Sequence, residues 1–130
     1  MRYILLLLLL LPFHLYCGCE DGDCNNGYGT YIWRNGDTDD RSWSHGDKYV
    51  GYFLDGKMHG QGSYYFVKGN IYTGSYVNGV QSGYGIFSYN SGEKYAGIFL
   101  NNKRHGKGTL TNNKGVSKSV EYRNGNLLKK

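Results

Sequence analysis

The same text returns every 23 residues. Tyr49, Tyr72 and Tyr95 stand one period apart, followed two positions on by Gly51, Gly74 and Gly97, and two further by Phe53, Tyr76 and Phe99. Gly60, Gly83 and Gly106, with Gly62, Gly85 and Gly108 behind them, keep the same register, and Gly69, Gly92 and Gly115 close each unit. Columns held across three units without a gap identify a tandem repeat, whose units bury their apolar faces only against their neighbours. A chain of this kind is expected to offer a surface rather than a catalytic pocket.

Each unit reads as a β-hairpin. Tyr49 to Leu54 is a short strand, Asp55-Gly56 a turn, Gly60 to Val67 the return strand, and Lys68-Gly69-Asn70 the turn into the next unit. The hairpin-turn column holds Asp55-Gly56, Asn78-Gly79, Asn101-Asn102 and Asn124-Gly125. These residues tolerate the positive φ that tight hairpin turns require. Strand side chains alternate between faces, so Tyr49, Gly51 and Phe53 share one face, and the apolar column Tyr64, Phe87, Leu110 marks the same face on the return strand. The mixed column Tyr65, Ser88, Thr111 is expected to face water. Glycine columns inside strands mark a repeated bend or a close approach. The expected fold is all-β: 23-residue hairpins forming one elongated, twisted antiparallel sheet.

The repeat extends past its regular core. Gly27 to Asp37 matches Gly60 to Asn70 at an offset of 33, which implies about ten inserted residues around Thr38 to Ser44, near Trp43. At the other end Tyr122 and Gly125 keep their columns, but Lys118 and Val120 replace the column tyrosine and glycine. A degenerate last unit is expected of a cap, because an exposed aromatic end would aggregate.

Tyr49 to Gly62 (YVGYFLDGKMHGQG) resembles the MORN repeat, the membrane occupation and recognition nexus motif, and Tyr95 to Gly108 matches with Asn102 in place of the turn glycine. Tyr72 to Gly85 keeps the glycines and aromatics but carries Gln81-Ser82 where the others have Met58-His59 and Arg104-His105. The resemblance spans roughly residues 24 to 126. It implies the repeat-sheet fold, while MORN repeats occur in scaffolds, in junctional proteins and in enzymes that carry separate catalytic domains.

The amino terminus is different text. Arg2 precedes Ile4 to Leu11, eight apolar residues stopped by Pro12. That length suits the hydrophobic region of a signal peptide over residues 1–16 and is too short to span a bilayer. Residues 17–23 then form a cysteine-containing linker, and residues 127–130 a basic tail. Cys19, preceded by Gly18, and Cys17, preceded by Tyr16, are the candidates for lipidation. Acyl chains there would hold the domain on a membrane; ordinary cleavage would release it as a secreted protein, and an uncleaved leader would anchor it. If one cysteine is acylated, the other two, Cys24 among them, are free to pair in an oxidising compartment. The spacing matches no standard zinc site.

With 15 Lys and Arg against 10 Asp and Glu, the chain is too mildly basic for a nucleic-acid polycation. Basic residues gather in the carboxyl-terminal half. Lys103, Arg104 and Lys107 are the candidate contacts to an anionic phospholipid; the other reading of these charges is solubilisation and protection of a sheet edge. No nucleophile elbow, zinc-protease helix or phosphate loop is present, and the Gly-x-Gly pairs are explained by the repeat. His59 and His105 share a column but lie about four strands, roughly 19 Å, apart, too far to share a metal. Tyr49, Tyr72 and Tyr95 are taken as packing residues. The expectation is therefore an exported, non-enzymatic module without cofactor or metal, acting as a protein-binding scaffold at a cell-envelope surface. The alternative is direct phospholipid binding. Exposed sheet edges would recruit a partner or a second copy by strand addition.

Overall fold

The computed structural model describes residues 18–34 and 44–129. Ten antiparallel strands form one sheet in which every strand pairs with its neighbours in sequence. They are β1 (Cys19–Gly22), β2 (Tyr28–Ile32), β3 (Lys48–Leu54), β4 (Lys57–Tyr65) and β5 (Ile71–Val77). The remaining five are β6 (Val80–Ser88), β7 (Lys94–Leu100), β8 (Lys103–Thr111), β9 (Ser117–Arg123) and β10 (Asn126–Lys129). This is the repeat sheet expected from the sequence. It runs further at both ends than expected: residues 19–22, read as linker, and 126–129, read largely as tail, are its outermost strands. The return strands also begin three residues early, at Lys57 rather than Gly60.

That early start has a local cause. The two-residue turns have positive φ at both positions, 49° and 72° at Asp55 and Gly56, so β4 pairs immediately after the turn. The ladder then slips. Gly51 faces Gly62 and Phe53 faces Met58, so β4 carries a bulge whose Gly60 sits at φ 67°. The same shift recurs between β5 and β6 and between β7 and β8.

The column tyrosine packs on this irregularity. Gly51 and Gly62 are opposite each other, and a Cβ on Gly62 would lie 2.2 Å from the Tyr49 hydroxyl and 2.4 Å from its ring. The ring therefore lies flat across two glycines. Its hydroxyl donates to the carbonyl of Tyr52, the residue the slipped ladder skips, at 3.0 Å. Tyr72 and Tyr95 repeat the arrangement, donating to the carbonyls of Ser75 and Ile98. The glycines inside the strands are thus close-approach positions, whereas those at the bulge supply the bend.

A single sheet has no second layer, yet Tyr49, Tyr72 and Tyr95 are 0% exposed. The cover comes from the next unit. Edge-to-face contacts run Phe53–Tyr49–Tyr76–Tyr72–Phe99–Tyr95–Tyr122, with centroids 4.9–5.4 Å apart. Each such pair contributes about 0.5–1.5 kcal/mol beyond area burial. A second row runs Tyr31–Trp33–Tyr64–Phe66–Phe87–Tyr89 and ends there, because Leu110 and Asn112 follow in its columns.

The caps show why the degenerate columns changed together. No tyrosine ring arises from Lys118, so the column of Gly51, Gly74 and Gly97 has room for a Cβ here, and Val120 fills it, 4% exposed. At the amino end the insertion lies inside a turn that keeps its closing bonds. Trp33 N–H donates to Asp47 and Gly46 N–H to Trp33, as Phe66 does to Asn70 and Gly69 to Phe66. Most of the inserted loop, with Trp43, lies outside the described residues.

Candidate binding surfaces

Among the described residues, each face of the sheet carries a hollow. On the face opposite the aromatic rows, β6 to β9 form an open trough of about 630 Å³ lined by Tyr84, Ala96, Ile98, Lys107, Thr109 and Glu121 among others. Tyr84 and Ile98 face each other on the ladder and are 58% and 41% exposed. Lys107 faces Glu121 in the same way. An apolar wall thus stands beside a pair of opposite charges. The aromatic face carries a smaller hollow of about 330 Å³ around Arg104, bounded by Tyr89, Glu93, Leu110, Val116 and Lys118.

Lys103, Arg104 and Lys107 do not form one patch. Lys103 and Lys107 are exposed on the trough face. Arg104 is half-buried on the other, opposite Phe99. Its guanidinium lies 5.4, 5.0 and 5.2 Å from the centroids of Tyr89, Tyr95 and Tyr122, and it donates to the Tyr122 hydroxyl at 2.9 Å. Reading charges along a chain misses this, because residues 103 and 104 necessarily point to opposite faces of a strand.

The histidine column is structural. His59 and His105 accept, through Nδ1, the backbone N–H of Asn78 and Asn124 at 3.4 Å. These bonds belong to a staircase along the hairpin-turn rim. Gly56 donates to Asn25, Gly79 to Met58, Asn102 to Gln81 and Gly125 to Arg104, each turn resting on the unit before it. Where Ser82 replaces histidine, the next turn has Asn102 instead of glycine, and its Oδ1 accepts the Gln81 N–H at 2.7 Å.

On the opposite rim Asp47 plays a part that its place outside the conspicuous columns conceals. It is 2% exposed, and its carboxylate accepts from the Tyr64 hydroxyl and the backbone N–H groups of Ser44 and Val67. Asn70 repeats the last contact by accepting from Asn90. In the last turn Asn112 takes over, accepting from Lys114 and Val116. Among the described residues no group of three or more His, Cys, Asp or Glu is placed to hold a metal.

At the amino end Cys19 and Cys24 form a disulfide, with Cα atoms 5.9 Å apart. In this pairing the Cys19 sulfur is not a free thiol; Cys17 lies outside the described residues, as does the leader. The disulfide closes the loop that presents Asn25 and Asn26 to the Asp55-Gly56 turn. Asp23 in that loop accepts from the backbone N–H groups of Asn26 and Asn25, which hold its carboxyl below the usual range.

The buried phenols are displaced the other way. Burial raises Tyr72 to about 12 and holds Tyr49, Tyr76, Tyr64 and Tyr95 above the ordinary tyrosine value, with the Asp47 carboxylate adding to the effect at Tyr64.

The family model of the MORN repeat matches residues 26–38, 49–71, 72–94 and 95–117, and each of its three full matches begins at a tyrosine seated on paired glycines. The chain belongs to the MORN repeat family. No curated protein matches it over its sequence. The three full MORN units cover β3 to the turn before β9, and the partial match covers β2. The outermost strands β1 and β10 therefore lie beyond the matched units. Among the described residues no helix is long and apolar enough to cross a membrane.

Proposed function

We propose that this MORN protein is an exported, non-enzymatic module that binds another protein at a cell-envelope surface through the face opposite its aromatic rows. The observation that carries this reading is the trough over β6 to β9. Its Tyr84 and Ile98 are exposed although the repeat does not need them for packing. Tyrosine in such a position is suited to interfaces, offering a rigid apolar body and a hydroxyl. Export is supported by the leader pattern of residues 1–16 and by the Cys19–Cys24 disulfide, which belongs to an oxidising compartment. Acylation, where it occurs, then falls on Cys17.

Two measurements test it. Intact mass of the protein from membrane and soluble fractions of its host reads the leader: loss of about 16 residues supports export, added acyl mass supports anchoring, and an intact leader in a soluble form refutes both. A photoreactive benzoylphenylalanine at position 84 reads the surface. Discrete protein adducts that vanish with Ile98→Lys are expected. Adducts to lipid alone would favour the phospholipid alternative, in which Lys103 and Lys107 would carry the contact.

A further inference from the structure

The hollow on the aromatic face is a gap in the repeat with a cation at its floor. In the two preceding units the column of Arg104 holds Met58 and Gln81, and the columns of Leu110 and Asn112 hold Tyr64 and Phe87, and Phe66 and Tyr89. The second aromatic row stops at Tyr89, and the smaller Leu110 leaves about 330 Å³ open. Lys118, standing where the earlier units have a tyrosine, enters the same space opposite Leu110. Glu93 stands at its edge. Asp47 and Asn70 hold that column in earlier units and bind the following turn, but Asn112 closes its own turn here and leaves the Glu93 carboxylate with Ser91 as its one hydrogen-bond partner among the described residues.

Arg104 is half-buried, and among the described residues it has no carboxylate within ion-pair distance. One of its five N–H donors goes to Tyr122, and three tyrosine rings hold the guanidinium in place. A planar fork with donors to spare, a second cation and an apolar wall together match one chemistry.

We propose that this hollow binds a carboxylate carried on an apolar or aromatic group, the carboxylate held by Arg104 and Lys118 and the apolar body lying on Tyr89, Leu110 and Val116. Two sources share that chemistry, a free amino acid and the free carboxyl terminus of a peptide, whose nitrogen is acylated. Glu93 would accept the ammonium of the first and has no counterpart on the second.

The test is a titration of the full chain with N-acetylphenylalanine, its carboxamide, and free phenylalanine, followed by calorimetry and by the Arg104 side-chain N–H resonance. The expected result is that an acid binds and moves that resonance, and that the amide binds about tenfold or more weakly, as befits loss of a charge-assisted pair. Arg104→Met and Arg104→Gln place in this column the residues that Met58 and Gln81 already hold there, so they should keep the fold, verified by far-UV spectra, and lose the acid to a similar degree. Tighter binding of free phenylalanine than of the acetylated form assigns the amino-acid source, and the reverse order assigns the peptide end. Equal binding of acid and amide, absence of binding by either acid, or indifference to both Arg104 variants overturns the proposal.

Discussion

At the scale of the residue, the column tyrosine and its two glycines act as one object. The ring takes the volume that two side chains would occupy, so a methyl group at either glycine meets it directly. Gly62→Ala should cost more than about 3 kcal/mol, since neither the ring nor the paired backbone can give way. Gly106 is glycine for another reason. Its φ is 68°, and a Cβ there would meet nothing within 4 Å. Gly106→Ala should therefore cost only about 1–2 kcal/mol, the strain of a left-handed conformation. Urea midpoints for the two variants check the order; equal losses would mean that the ring does not press on the glycine pair. The sequence shows both columns equally well and cannot tell them apart, because close approach and positive φ leave the same letter.

At the scale of the element, the hairpins are joined by their turns as well as by their ladders. The Asn102 side chain stabilises the turn beneath it where Ser82 offers no ring nitrogen. Asn102→Gly should cost about 1 kcal/mol, a typical net value for one hydrogen bond. Ser82→His in the same chain should return much of it, because the added imidazole restores the arrangement of His59 and Asn78. A double-mutant cycle from denaturant midpoints reads the coupling, and simple additivity would refute it. Strand order, turn chemistry and the buried face were legible because each repeats three times. The bulge was not, since a slip in pairing belongs to two strands at once and has no letter of its own. Nor were β1 and β10, whose sequences share little with the repeat and which pair because a neighbouring edge is open. The ring contacts of Arg104 were not legible for a related reason: Tyr95 and Tyr122 lie on β7 and β9 and Tyr89 in the turn after β6, none of them adjacent to it in the chain.

At the scale of the whole molecule, the buried phenols link the fold to alkaline pH. Their pKa values are raised in the folded chain, to about 12 at Tyr72, whereas an unfolded tyrosine ionises near 10. Their contribution to stability is complete below pH 10 and is lost as the pH rises from about 10 through 12. At Tyr72 the loss is at most about 1.4 kcal/mol per pH unit in that window, and the other buried phenols act in the same direction. Five such residues should make unfolding steep between pH 10 and 12, with the absorbance of the buried phenolates and loss of β-sheet signal rising together. Ionisation of the full complement of tyrosines, the five buried ones included, near pH 10 in a sheet that stays intact would contradict the burial. The staircase of turns carries a consequence for ancestry. A tandem array grows and shrinks by copying or deleting whole units. Ser82 and Asn102 lie in successive units yet compensate one another, so a deletion that removes one and spares the other leaves a turn without its partner. Such an array can change length only at seams where no compensation crosses, and the history of its lengths should be punctuated accordingly.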